Sequence, residues 1–367
     1  MEKVVIAPDS FKGSLSSYEV CSIISTVIKK NYPDAVIKEI PVADGGECTA
    51  DAFLYASGGE KIHCKVKGPL GRDIEAYYVI LPDNTAVIES ALASGLTIEK
   101  ENDALLASSC GTGQLIKAAL DKGAERLFVG IGGSAMTDGG TGCLAALGAK
   151  FYDAQGKELY PCGKSLEAIK KIDLEEFDKR ISEKEITVLC DVKNPLYGKN
   201  GAAYIFAPQK GANENDVAIL DEGLENFADV AADFLGKDYS FYEGAGAAGG
   251  LGFALVAFVK AELKRGIDTV LDYCGFEKAV KDASLVITGE GKLDGQSLMG
   301  KVPFGVASRA KGKRIVAVVG ISEVTDRECA VMGIDEVVEA NYLHLPFEEI
   351  KDNAKEMLYV AAEKIKL

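Results

Sequence analysis

Val4-Val-Ile-Ala-Pro-Asp-Ser-Phe-Lys-Gly-Ser14 decides the fold. A short apolar run is followed by a loop carrying Asp9, Ser10 and Lys12. Val20, Ile23, Ile24, Val27 and Ile28 then recur three and four residues apart, which marks one face of a helix. The order is strand, loop, helix, and it repeats at once: Val36-Ile37 through Ile40 leads into Pro41-Val-Ala-Asp-Gly-Gly-Glu47 and a helical stretch from Ala50 to Ala56. Ligands of open α/β sheets bind beyond the carboxyl ends of the strands. Asp9, Ser10, Lys12, Asp44, Gly45 and Gly46 are therefore candidate site residues. The plainer reading of the same loops is two βα turns with Ser14 and Asp44 near helix N-caps.

Working outward, Leu285-Val-Ile-Thr288, Ile315-Val-Ala-Val-Val319 and Glu336-Val-Val338 supply further short apolar runs near the other end of the chain. Continuous runs of this kind suit a parallel sheet covered on both faces. The middle differs: Lys61 to Lys67 and Ile74 to Leu81 alternate around Gly68-Pro-Leu-Gly71, the pattern of an antiparallel pair. Arg126 to Ile131 and Ile186 to Cys190 read as strands, and Val217, Leu220, Leu224, Phe227 and Ala231 mark a long amphipathic helix. The expectation is an α/β protein of two domains. A discontinuous parallel-sheet domain over 1–67 and 284–367 would carry an inserted α/β domain over 68–283.

Composition narrows the function classes. At 367 residues and 47% hydrophobic content, the chain can bury a full core and exceeds one typical domain. Its formal net charge of −15 argues against nucleic acid or an anionic membrane as partner, since both require a basic footprint. The longest apolar stretch, Leu251 to Val259, falls well short of the roughly 18 residues of a membrane span. A strand begins immediately, without a cationic and apolar leader, so a cytoplasmic location is expected. Nine cysteines lie scattered from Cys21 to Cys329 with no Cys-x-x-Cys pair, which disfavours a disulfide framework or a zinc site. They read as small core residues in a reducing compartment, with Cys48 and Cys110 set apart by their glycine-rich surroundings. His63 and His344 belong to no glycine-rich or acidic constellation, and histidine-activated chemistry finds no support.

Four glycine-rich segments remain. Gly289-Glu-Gly-Lys-Leu-Asp294 follows the strand at Leu285 and places Glu290, Lys292, Asp294 and Lys301 near one strand end, a set suited to magnesium and phosphate. Gly295-Gln-Ser-Leu-Met-Gly-Lys301, directly after it, has most of the P-loop spacing, but Val302 replaces the magnesium-binding hydroxyl residue and no strand directly precedes Gly295, so a P-loop is rejected. Gly244-Ala-Gly-Ala-Ala-Gly249 matches the dinucleotide fingerprint literally, yet Tyr239 to Tyr242 makes a poor buried strand, leaving close packing or anion binding at a helix start. Gly130-Ile-Gly-Gly-Ser-Ala-Met-Thr-Asp-Gly-Gly140 follows a strand and opens onto a helix, where backbone amides could face a polyphosphate. Asp191, in Cys190-Asp-Val-Lys-Asn-Pro195, stands at another strand end. Gln209-Lys-Gly211 adds a cation.

Together these segments resemble the bacterial glycerate kinase family that forms 2-phosphoglycerate, distinct from P-loop and protein kinases. Ala107-Ser-Ser-Cys-Gly-Thr-Gly113, Gly132 to Gly140, Cys190 to Pro195, Pro208-Gln-Lys-Gly-Ala212, Gly244 to Gly252 and Thr288 to Lys301 carry the likeness, with the two opening loops. The chain departs from the family at Cys48, where glycine is expected, at Cys110, where tyrosine is expected, and at Met136-Thr137, usually Thr-Asn. The resemblance implies a two-domain α/β kinase, one domain Rossmann-like, with ATP and D-glycerate meeting in the cleft between them.

Residue type and position then suggest roles. Ser10 and Lys12, with Asp9, Gly45, Gly46 and more distantly Arg72, would hold the substrate. Gly132, Gly133, Ser134, Asp138, Lys210, Gly246 and Lys301 would meet the nucleotide phosphates, and Glu290 and Asp294 would hold Mg2+. Asp191 would be the base toward the C2 hydroxyl, with Asp44 the alternative, while Lys292 and Lys301 offset charge on the transferring group. Competing readings are a nucleotide-dependent dehydrogenase of a hydroxy acid and a non-catalytic sugar-acid-binding module. The oligomeric state has no signature in the sequence.

Overall fold

In the computed structural model, residues 2–295, 297 and 301–367 are described. The strands in chain order are β1 (Lys3–Pro8), β2 (Val36–Glu39), β3 (Glu60–Lys67), β4 (Asp73–Ile80), β5 (Thr85–Glu89), β6 (Arg126–Gly130), β7 (Lys150–Tyr152), β8 (Lys171–Asp173), β9 (Glu185–Leu189), β10 (Glu262–Lys264), β11 (Leu285–Leu293), β12 (Arg314–Ser322) and β13 (Glu336–Glu339). They fall into two units, one of residues 1–44, 51–58 and 267–367, the other of residues 45–50 and 59–266.

The first unit is built on one sheet of order β13-β12-β11-β1-β2, with every neighbouring pair parallel. Val4, Val5, Ile6 and Ala7 are completely buried, as are Val316, Ala317, Val318 and Val319, so the central strands are covered on both faces as continuous apolar runs require. The helix Ser17–Asn31 packs its stripe of Val20, Ile24, Val27 and Ile28 into the same core as Ile6, Ile287, Val318 and Leu358. Its cap is Ser16: the hydroxyl accepts from the Glu19 N–H at 3.4 Å while the Glu19 carboxylate takes the Ser16 N–H at 3.1 Å. Ser14 is not the cap; its hydroxyl donates to the Phe11 carbonyl at 2.9 Å. β11 extends beyond the expected Thr288, because Gly289-Glu-Gly-Lys keeps its register with β12 as far as Leu293 opposite Ser322. Gln296 and residues 298–300 of the rejected P-loop segment lie outside the described residues.

The chain leaves β1 for β2 on one side, whereas β11 lies on the other. β1 and β11 therefore flank the topological switch point, where a crevice opens beyond the strand ends.

The second unit holds a sheet of order β10-β9-β6-β5-β4-β3, antiparallel at β3–β4 and β4–β5 and parallel elsewhere, plus the hairpin β7–β8. β3 pairs with β4 along its whole length, from Glu60 opposite Ile80 to Lys67 opposite Asp73. Residues 60–67 consequently belong here, and the boundaries fall at 58/59 and 266/267 instead of 67/68 and 283/284. The later boundary moves because Ile267, Val270 and Leu271 are fully buried in the first unit, with Tyr273 edge-on to Phe53 at 5.5 Å. The helix Glu214–Leu235 buries Leu220, Leu224, Phe227 and Ala231, and Phe227 meets Phe151 and Phe253 edge-on. Leu251–Val259 is an almost completely buried helix. Among the described residues no helix is long and apolar enough to cross a membrane.

Candidate active site

Within the first unit, a cavity of about 490 Å3 lies along the carboxyl ends of the strands. The loop after β1 brings Asp9, Ser10, Lys12 and Ser14, the segment after β2 brings Asp44, and β11 with its continuation brings Glu290, Gly291, Lys292, Asp294 and Lys301. This is the crevice at the switch point. The rest of its lining is largely apolar, formed by Phe11, Ile321, Leu345, Phe347, Ile350 and Met357 together with Asn341 and Lys351.

The acidic end is strained electrostatically. Asp9 is buried, receives the Ser10 N–H on Oδ1 at 2.7 Å, and gives its own N–H to the Gly289 carbonyl at 2.8 Å. Burial, then the neighbouring Asp44 charge, pushes its carboxyl up to about 8 despite the opposing pull of the Ser10 N–H and Lys12, and Glu290 adds to the rise. Glu290 is likewise buried and accepts from the Ser297 hydroxyl. Burial raises its pKa to about 7, with Asp294 reinforcing the shift and Ser297, Lys301 and Lys12 opposing it. Ser297 is itself held by the Asp294 N–H, which donates to its Oγ at 3.1 Å. Lys292 pairs with Glu323 at 2.8 Å, and among the described residues Lys12 and Lys301 form no ion pair. The site thus combines crowded carboxyls that resist ionisation with cations at their margin.

The remaining candidates lie in the second unit, and much of their hydrogen-bonding capacity is taken up there. In the loop after β6, the Gly132 N–H donates to Gly45 at 3.0 Å, Ala135 to Ser94 at 2.8 Å and Gly139 to Gly249 at 2.9 Å. Gly133 has φ +71° and its carbonyl accepts from the Leu96 N–H at 2.9 Å. Asp138 is completely buried and accepts from the N–H groups of Ser109, Gly140 and Gly142 and from the Ser109 hydroxyl, at 2.7 to 3.1 Å. It anchors the start of the helix Thr141–Ala146 from inside. Lys210 is equally buried, donating to Ser134 Oγ at 3.1 Å and the Met136 carbonyl at 2.6 Å; burial lowers its pKa to about 7, with Asp138 opposing the shift. Gly246 and Gly249 pack where a Cβ would stand 2.2 Å from the carbonyls of Pro195 and Met136, so the fingerprint match reflects close backbone packing. Asp191 is exposed at the end of β9 and its Oδ1 accepts the Gly266 N–H at 3.1 Å. Arg72 is paired with Glu99, its Nε 3.2 Å from the carboxylate.

Gly45 adopts φ +94°, and a Cβ there would meet the Leu189 carbonyl at 2.7 Å. Gly46 carries the turn onward, its carbonyl accepting from the Thr49 hydroxyl at 2.7 Å. Cys48 also has a left-handed backbone, φ +66°, which is the physical reason glycine suits this position. Its N–H and that of Ala50 donate to the buried Glu89 carboxylate at 3.0 and 3.1 Å. All nine cysteines are free.

Sequence reading overlooked Ser297 and the apolar wall contributed by residues 345–357. The signal for the wall was faint: Leu345, Phe347 and Ile350 follow the strand Glu336–Glu339 without forming a tidy amphipathic helix, and Phe347 is 47% exposed.

Comparison with known proteins agrees with this architecture. Residues 4–367 match the family described as the glycerate kinase family. The chain is 44% identical to a glycerate kinase of Bacillus subtilis, covering 99% of this chain and 96% of that protein. It is 47% identical to a glycerate 2-kinase of Escherichia coli over 91% and 89% of the two chains. A crystal structure assigned as glycerate kinase 2 from Salmonella typhimurium LT2 superposes with a TM-score of 0.87 at 44% identity, covering 99% of this chain and 96% of that one. With the family matched along almost its entire length and relatives this close, the chain belongs to the glycerate kinase family.

Proposed function

We propose that this protein is an ATP-dependent kinase that phosphorylates D-glycerate at its C2 hydroxyl, giving 2-phosphoglycerate and ADP. The observation that carries the reading is the switch-point cavity, where Asp9, Asp44, Glu290 and Asp294 meet Lys12, Lys292 and Lys301 in a chain of this family. In the transfer, the glycerate C2 oxygen bonds to the γ-phosphorus, its proton leaves, and the bond from that phosphorus to the bridging oxygen breaks, so ADP departs with the electron pair. Such transfer depends on positioning and charge neutralisation, which this residue set supplies without a histidine.

Ser10 and Lys12 would hold the substrate carboxylate. For the proton, Asp44 is the favoured acceptor because it lines the cavity, with Asp191 the alternative. The carboxyl set suits Mg2+: burial first, and neighbouring carboxylates after it, disfavour the ionised forms of Asp9 and Glu290, and a divalent cation would favour them. Mg2+ typically takes one or two carboxylates, here Glu290 and Asp294, and keeps waters and phosphate oxygens. Bound there, it would neutralise charge across the phosphate oxygens. We place the protein in the cytoplasm, since nine free cysteines suit a reducing compartment.

The test is product identification by NMR after incubation with D-glycerate, ATP and Mg2+. 2-Phosphoglycerate is expected; 3-phosphoglycerate would overturn the C2 assignment, and no phosphorylated product would overturn the reaction itself. Asp44→Asn should lower turnover roughly 100-fold or more, the loss typical of an assisted proton transfer. If Asp191→Asn shows that loss and Asp44→Asn does not, the base is Asp191.

A further inference from the structure

The cavity has a mixed lining, and only its charged part suits the substrate named above. Glycerate is a three-carbon acid with two hydroxyls, and its polar groups find partners among the charged residues near β1 and β11. The same space is also lined by Ile321, Leu345, Phe347, Ile350 and Met357, with Asn341 and Lys351 beside them in the chain. A volume of about 490 Å3 is far larger than a three-carbon acid requires, and it falls within the usual range of pockets for larger organic ligands.

The turn that presents Leu345 to the cavity is held in shape by its own hydrogen bonds. The Asn341 side chain closes a turn on Leu345, accepting its N–H at 3.0 Å and donating to its carbonyl at 2.9 Å. The His344 N–H donates to the Asn341 carbonyl at 2.9 Å within the same turn. This bracing fixes Leu345 at the rim and delivers Pro346 and the helical turn Phe347–Ile350. Phe347 remains 47% exposed and Leu345 37% exposed, so a flat apolar group laid on them would cover surface now in water. Lysines 12, 292 and 301 line the same cavity and suit a polyanion.

We infer that the apolar residues Ile321, Leu345, Phe347, Ile350 and Met357 seat the adenosine part of the nucleotide, with the phosphates directed to the lysines of the same cavity. This rests on the kinase reading above and adds to it the location of the donor. A flat heterocycle joined to a polyphosphate is the ligand chemistry that satisfies both the apolar and the cationic lining.

Titration calorimetry on the full chain with Mg2+ tests it, using ADP and, separately, inorganic tripolyphosphate. Phe347→Ala and Ile350→Ala each remove one face of the proposed seat, and Phe347→Tyr restores the ring. The expected result is that Phe347→Ala weakens ADP roughly tenfold, the loss typical of removing one stacked aromatic ring. Tripolyphosphate affinity should stay within about twofold, and Phe347→Tyr should bind ADP like the parent protein. Unchanged ADP affinity in both alanine variants, or equal weakening of ADP and tripolyphosphate, overturns the inference. Product formation separates it from the broader reading. Phosphorylated glycerate with ADP binding insensitive to Phe347 removes only the adenosine site; the ADP-specific loss without any phosphorylated glycerate keeps the site and removes the proposed reaction.

Discussion

At the scale of single residues, the two loops that begin this fold carry identifiable stress. Cys48 occupies φ +66°, a conformation that costs a residue with a Cβ roughly 1–2 kcal/mol, while its N–H bond to Glu89 comes from the backbone and survives substitution. Cys48→Gly should therefore raise stability, by about 1 kcal/mol or less after the greater unfolded-state entropy of glycine is counted. A urea midpoint lower than that of the parent would refute this. Asp9 is stressed by charge. Its folded carboxyl is raised from 3.8 to about 8, so between those values the folded state binds the proton more tightly and its stabilising contribution fades as pH rises. Asp9→Asn should consequently gain on the parent as pH moves from 5 to 8.5 in ligand-free denaturation, by at most about 1.4 kcal/mol for each step of one in pH. Glu290 acts in the same direction below about pH 7. Added Mg2+ should flatten the parent's profile, because it stabilises the ionised carboxylates. A parent-to-variant difference independent of pH would show that the Asp9 carboxyl titrates normally.

At the scale of elements, the loop after β6 and the turn Pro208–Lys210 are joined through one buried lysine amine. The Lys210 Nζ reaches Ser134 and Met136, and burial lowers its pKa from 10.5 to about 7. The unfolded chain then holds the extra proton between those values, so stability contributed at this site rises with pH from about 7 to 10.5. Lys210→Met should compare best with the parent at or below neutrality and lose ground steadily toward pH 10; denaturant midpoints that keep a constant separation would count against a neutral lysine. Elements of this kind mark the limit of what the chain discloses in linear form. Val4 to Ile6, Leu285 to Ile287 and Ile315 to Val319 were readable as parallel strands because continuous apolar runs have few other uses. The strand-end positions of Asp9, Asp44, Glu290 and Lys301 followed from them, whereas the strand order that sets the switch point is visible only in the folded sheet. Glycine runs were ambiguous because phosphate binding and close packing demand the same residue: Gly132, Gly139 and Gly246 show their amides donating to carbonyls of the protein itself. Asp138 and Lys210 had the residue types of a phosphate-and-metal site, and only tertiary burial shows them bonded inward. β3 fell on the wrong side of the boundary because an alternating pattern shows that a strand has a partner without saying which sheet it joins.

For the whole molecule, charge is the property that no single site determines. Fifty-six acidic against 41 basic residues leave a formal charge of −15, while both proposed substrates are anions. The cavity offers Lys12, Lys292 and Lys301, but Asp9, Asp44, Glu290 and Asp294 line it with them, and Lys292 is already paired with Glu323. Local attraction is thus short in range, whereas the net negative field extends over about 30 Å at 0.01 M salt and about 8 Å at 0.15 M. At low salt the approaching nucleotide meets repulsion first. The expected outcome is that kcat/KM for ATP rises a few-fold, on the order of two to five, as NaCl increases from 10 to 150 mM at fixed free Mg2+. A neutral nucleophile analogue of glycerate, its carboxylate replaced by an amide, should show a smaller salt response in its own kcat/KM. The opposite sign for ATP, a steady fall with salt, would mean that the lysines govern the approach from well beyond the cavity. The acidic surface would then be electrically remote from the site despite its fifteen-charge excess.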